Sequence, residues 1–168
     1  RHLGMGYPGG PEIQQVGQSG NPARYVLPRP MRGQGYGFSF SGLKTAVINL
    51  AKAEGDRLDL PDLCASLQAA VADTLCGKVE AALNEHKLPR LIVAGGVAAN
   101  RMLRERMAGL AGRMGVEVLI PPPGFCTDNA AMIAAAGFFT SSLWPGDTLK
   151  INARADWPMG GGPETLCV

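Results

Sequence analysis

With 168 residues, 46% of them hydrophobic, the chain can bury a real core, as one compact domain or as one lobe of a larger protein. A formal net charge of +2 implies no partner by itself, and no stretch approaches the ~18–20 apolar residues of a membrane span, so a soluble chain is expected. Cys64, Cys76, Cys126 and Cys167 form no CxxC pair, which excludes a zinc ribbon or a disulfide framework and fits a reducing cytoplasm.

The sequence opens at Arg1 rather than a methionine, with neither a signal peptide nor a clean helix start, and a truncated start is the simpler expectation. Residues 1–37 are rich in glycine and proline and read as a loop-rich lead-in with one short helix. Tyr7-Pro8-Gly9-Gly10-Pro11-Glu12 is a turn running into a helix that holds Pro11 in its first turn and stops near Gly17 to Gly20. Pro22, Pro28 and Pro30 keep residues 21–37 extended, with a short strand expected at Tyr25-Val26-Leu27. This front is basic: residues 1–50 set Arg1, Arg24, Arg29, Arg32 and Lys44 against Glu12 alone. Such a surface can meet phosphate, and a solvated face explains it as well.

Helical periodicity follows. Phe40, Leu43, Val47 and Leu50 predict a helix over Ser41 to Glu54, capped by Ser39 or Ser41. Leu63, Leu67, Val71, Leu75 and Val79 recur every four residues and predict a second helix from Pro61 to about Glu85, with close packing expected at Gly77. Leu91 to Ala94 then reads as a buried strand, Arg101 to Met114 as a helix, Val116 to Ile120 as a second strand and Asp128 to Thr140 as an alanine-rich helix. Strand, helix, strand, helix at these lengths predicts an α/β class with parallel strands. The tail looks disordered over 159–168.

Two turns leave the carboxyl ends of those strands, the edge where open α/β sheets bind ligands. In Gly95-Gly96-Val97-Ala98-Ala99-Asn100 the two glycines let a ligand approach the backbone, and the helix start offers free N–H groups to an anion. Asn100 suits a ribose or a base edge; a tight turn with Asn100 as helix cap accounts for the same residues. In the second turn, Asp128 is either a hard oxygen ligand for a metal or an acidic residue favouring a helix start, and Cys126 reads as a buried structural thiol. Lys44 can contact phosphate or stand in solvent. Arg101, Arg104 and Arg106 read as a solvated helix face. His2 and His86 are the only histidines, in no HExxH or HxxxH pattern, and no GxSxG occurs, so neither a zinc protease nor a hydrolase elbow is indicated.

Taken together, Phe38 to Thr45, Ala94 to Arg101 and Phe125 to Met132, with the Tyr7-to-Pro11 turn and Tyr25-Val26-Leu27-Pro28-Arg29-Pro30, resemble the TsaD family of tRNA N6-adenosine threonylcarbamoyltransferases, formerly labelled O-sialoglycoprotein endopeptidases. The resemblance runs from about Leu3 to Trp157. It implies the carboxy-terminal lobe of an actin-like ATPase fold of the sugar kinase and Hsp70 type over residues 38–158, with parallel strands, flanking helices and a helical insertion. It implies transfer of a threonylcarbamoyl group from threonylcarbamoyl-AMP to N6 of adenosine 37 of tRNA. By residue, it makes Gly10 and Asn100 substrate-binding, with Gly95 and Gly96 beside them at the adenine nucleotide, and Asp128 a ligand of a divalent metal, iron or zinc. It further implies tRNA and TsaB-like and TsaE-like proteins as partners, in the cytoplasm. The family's HxxxH metal ligands have no counterpart here, so the chain is expected to be inactive in isolation, with a dimer of the fragment conceivable. Two other readings are a metalloendopeptidase and a non-catalytic scaffold paralogue.

Overall fold

In the computed structural model, which describes residues 3–140, the chain divides into two units, Arg1–Thr127 and Asp128–Val168. The first is organised by its longest helix. Helices α1 (Gly9–Val16), α2 (Ser41–Glu54) and α3 (Leu60–His86) are followed by β1 (Arg90–Ile92), α4 (Arg101–Met114) and β2 (Glu117–Leu119). Helix α3 starts where the Asp59 carboxylate accepts from the Asp62 N–H at 2.9 Å, with Pro61 in the first turn, where a missing N–H costs nothing. It ends at Lys87 in a left-handed conformation. Its buried positions include Leu63, Ala65, Ala69, Ala70 and Ala72, and the small side chains let neighbouring backbone come close. Gly20 shows how close: a Cβ there would lie 2.0 Å from the Pro61 carbonyl oxygen.

Two apolar clusters flank α3. One joins Tyr25, Leu27, Leu43, Val47, Leu63 and Ala70, and so ties the lead-in and α2 to the helix. The other joins Ala72, Leu103 and Met107, with half-buried Leu91 and Val93 against them. The expected every-fourth stripe is therefore only partly core: Leu63 is fully buried while Leu67 and Val71 keep some exposure. Gly77 corrects the packing expected of it, since a Cβ there would meet nothing within 4 Å.

Three further expectations are corrected. Residues 25–27 form no strand; the Tyr25 N–H donates to Ser66 Oγ at 3.2 Å instead of to a ladder, and Val26 is exposed. Neither serine caps α2. Phe40 is the N-cap without a side-chain cap bond, and Ser41 is already helical, where its hydroxyl cannot reach the first free N–H groups. The strands pair in parallel, Arg90 with Glu117, Leu91 with Val118 and Ile92 with Leu119. Yet β1 is not buried on both faces: Leu91 is half-buried and Ile92 is 70% exposed. Among the described residues the sheet has two strands, packed on one face only.

The second unit is described through helix α5 (Ala130–Thr140). It begins two residues after the expected start at Asp128, because Asn129 Oδ1 accepts from the Met132 N–H at 2.9 Å and makes Asn129 the cap. The tail expected over 159–168 lies outside the described residues, as do residues 141–158 of the expected lobe.

Candidate functional site

Past β1 the chain enters the glycine turn. Gly95 has φ 92° and ψ 167°, a conformation closed to residues with a Cβ, and its carbonyl accepts from the Ala98 N–H at 2.9 Å. A 3-10 turn, Gly96–Ala99, then delivers the chain to α4. Gly96 faces open space: a Cβ there would meet nothing within 4 Å.

Asn100 is the N-cap of α4, its Oδ1 accepting from the Leu103 N–H at 3.0 Å. Its Nδ2 donates to Gln68 Oε1 at 2.9 Å. Gln68 in turn donates to the carbonyls of Ile13 and Cys64, each at 3.2 Å. From α1, Gln14 Oε1 accepts from the Arg101 N–H at 2.8 Å. Two glutamines on different helices thus hold the start of α4.

Between these parts lies a pocket of about 430 Å³. Gly10, Gly96 and Asn100 all line it, so the fold brings Gly10 to the distant turn that carries Gly96 and Asn100; Gly95 shapes the turn beside it. Ile13, Leu67, Val71 and Leu103 supply apolar wall, Gln14 and Gln68 add amides, and no charged side chain is among the lining residues. Pro8 at the N-cap of α1 gives no side-chain cap bond, so the helix start that carries Gly10 keeps its own N–H groups uncapped. A second pocket, of about 370 Å³, shares Ile13, Leu67 and Val71 with the first and includes exposed Lys44.

The arginines of α4 correct the expected solvated face. Arg104 is half-buried and donates to the carbonyls of Ala98 at 3.0 Å and Pro121 at 2.8 Å, which staples the two turns leaving β1 and β2. Arg106 pairs with Asp73 and donates to the Ala69 carbonyl. Of Arg101, Arg104 and Arg106, only Arg101 is exposed, paired with Glu105 on the next turn. Cys126 is buried, as expected, beside Arg104 and the carbonyls of Pro121 and Pro122. Burial also pushes the Cys64 and Cys76 thiols up, away from thiolate.

Asp128 belongs to the second unit and takes no part in the cap of α5. Among the described residues no group of three or more His, Cys, Asp or Glu side chains could hold a metal ion, and His86 is in ring contact with Tyr36 at 5.6 Å. Those residues alone do not fit a complete metal site.

Sequence reading missed Gln68, Gln14 and Lys78. Gln68 had a visible signal, a long amide amid the alanine-rich stretch of α3. Lys78 had none: its burial depends on a loop more than forty residues earlier, whose Met31, Gln34 and Gly35 carbonyls accept from its ammonium at 2.6, 2.8 and 2.6 Å.

At the carboxyl end of a parallel strand, a glycine turn and a capped helix thus share one pocket with a second helix start. The family model of TsaD, tRNA N6-adenosine threonylcarbamoyltransferase, matches residues 1–135, and the chain belongs to that family. It is 48% identical over 161 residues to the tRNA N6-adenosine threonylcarbamoyltransferase of Trichlorobacter lovleyi, covering 94% of this chain and 47% of that protein. The protein of the same name from Aromatoleum aromaticum is 47% identical over 161 residues, with 94% and 47% covered. The one from Brucella anthropi is 45% identical over 167 residues, with 94% and 46% covered. The chain spans about half the length of the curated relatives it matches.

Proposed function

We propose that this chain is the carboxy-terminal lobe, of actin-like ATPase fold, of a tRNA N6-adenosine threonylcarbamoyltransferase, and that its pocket holds the adenylate of threonylcarbamoyl-AMP. The observation that carries this reading is the meeting of Gly10, Gly96 and Asn100 on one pocket. Apolar walls suit a purine ring, amides at the rim suit a base edge or ribose, and an uncapped helix start suits a phosphate. Gly95 acts by holding the turn open. In the reaction, N6 of the tRNA adenosine bonds to the carbamoyl carbon and gives up one proton to solvent, the bond from that carbon to the phosphate oxygen breaks, and AMP leaves with that electron pair. The share of this chain is to fix the adenylate, which is catalysis by positioning.

Asp128 is the carboxylate proposed to serve the family's divalent metal, iron or zinc, which when bound would act as a Lewis acid. One carboxylate does not hold such an ion, so the proposed chemistry of the described residues is binding alone. The tRNA, TsaB-like and TsaE-like partners and a cytoplasmic setting go with the same reading. Among the described residues no helix is long and apolar enough to cross a membrane. The names of the relatives favour neither a metalloendopeptidase nor a scaffold paralogue.

A chimera tests the reading. With this chain replacing the matching residues of the Trichlorobacter lovleyi relative, threonylcarbamoyl transfer to tRNA should persist. Gly96→Val in that chimera should leave the fold intact, since the site is open, and lower transfer by about 100-fold through a displaced substrate. An inactive but folded chimera, or an active Gly96→Val variant, would overturn the proposal. The chain alone should bind adenylate too weakly for calorimetry; micromolar affinity with bound metal would contradict its being an incomplete site.

A further inference from the structure

Two bonds hold the Asn100 amide at the pocket. Its Oδ1 is committed to the Leu103 N–H, so the cap fixes one end of the amide. What fixes the other is Gln68, the one side chain that bonds Asn100 Nδ2, the α1 backbone at Ile13 and its own helix at Cys64. Of these three bonds, the two to Ile13 and Asn100 run from α3 to the two halves of the pocket: α1 carries Gly10, and the start of α4 follows Gly96. All of Gln68's amide valences but one acceptor lone pair are spent on them.

We infer that Gln68 is a positioning residue for the adenylate pocket, acting through Asn100 and the α1 backbone. The inference rests on the adenylate reading above. A purely structural glutamine would tie α1 to α3 and leave the Asn100 amide untouched. Here one carboxamide spans both, so its loss frees Asn100 Nδ2 to swing and lets the Gly10 and Gly96 walls part.

The two roles separate in a double-mutant cycle on the full 168-residue chain, with AMP as the probe at millimolar concentration and backbone amides of Gly10 and Gly96 followed by NMR. Gln68→Met keeps the length of the side chain and removes its bonds. Asn100→Asp keeps the cap acceptor and removes the donor to Gln68. Each should weaken AMP binding about tenfold. The double variant should be no weaker than the worse single one, because both remove the same contact. Equal affinity in wild type and folded Gln68→Met, or fully additive losses, would overturn the positioning role alone. Absence of any AMP-induced shift in the wild type would instead take down the adenylate reading, and the role with it. If Gln68→Met fails to fold, Asn100→Asp reads the same contact, and unchanged affinity there is equally decisive.

Discussion

Residues 21–37 and residues 90–120 form opposite kinds of structure. The first stretch has no helix or strand beyond turns, yet it is tied down along its whole length to α3. The Asn21 N–H donates to Asp62 at 2.7 Å and the Tyr25 N–H to Ser66 at 3.2 Å. Arg29 pairs with Asp73 at 2.8 Å, Lys78 takes three carbonyls, and Tyr36 donates to Glu85 at 2.5 Å. Each tie lies further along both segments, so the loop runs parallel to the helix. The second stretch has regular elements and the reverse problem: Ile92, Val97 and Leu119 are all exposed. Order here does not follow secondary structure. Polar side chains of one helix hold an irregular loop, whereas the parallel pair packs on one face only.

The loop side should therefore break first. Gly20→Ala sets a Cβ against backbone that cannot retreat without shifting the start of α3, and should cost about 3 kcal/mol. Lys78→Met leaves three carbonyls without their cation; they can turn to water, so the loss should be about 2 kcal/mol. Urea denaturation measures both. Hydrogen exchange should rise throughout residues 21–37 in the lysine variant while the amides of β1 and β2 stay unchanged. Equal effects on both stretches would mean that the two are not separable.

A smaller effect concerns pH. Burial raises the Cys64 thiol above its ordinary pKa, with Glu12 adding to it. The folded state therefore favours the neutral thiol. That stability is complete below the unfolded thiol pKa and is lost as pH rises through the higher folded value. Denaturation midpoints should fall on alkaline titration, and less steeply in Cys64→Ala.

Much of this was legible in the sequence and some was not, for a physical reason. Helices α2, α3 and α4 stand where periodicity put them, because a repeating apolar face is a local signal. The glycine turn was equally legible, since Gly95 needs a conformation that other residues refuse. Asn100 had two readings, and the cap is observed while the side chain also lines the pocket. Partners were not legible. Arg104 and Arg106 look on the sequence like a charged face, and nothing local tells that carbonyls and Asp73 await them. Asp128 stays a proposal because its cap duty has passed to Asn129, and its own task depends on donors that the described residues lack.

The smallest effect is the sharpest test of the strand side. Leu91 and Ile92 are neighbours on opposite faces of β1, the first half-buried against the cluster of Ala72, Leu103 and Met107, the second 70% exposed. Leu91→Ala should cost about 2 kcal/mol through lost burial. Ile92→Thr keeps a β-branched side chain and loses little buried area, so its effect should stay within about 0.5 kcal/mol. The larger loss at Leu91 reports mainly its burial. Should Ile92→Thr instead cost about 2 kcal/mol, near the value for a fully buried isoleucine, the outer face of the strands would be covered in solution. The contrast would then be between a loop tied by its own helix and a sheet covered by a partner.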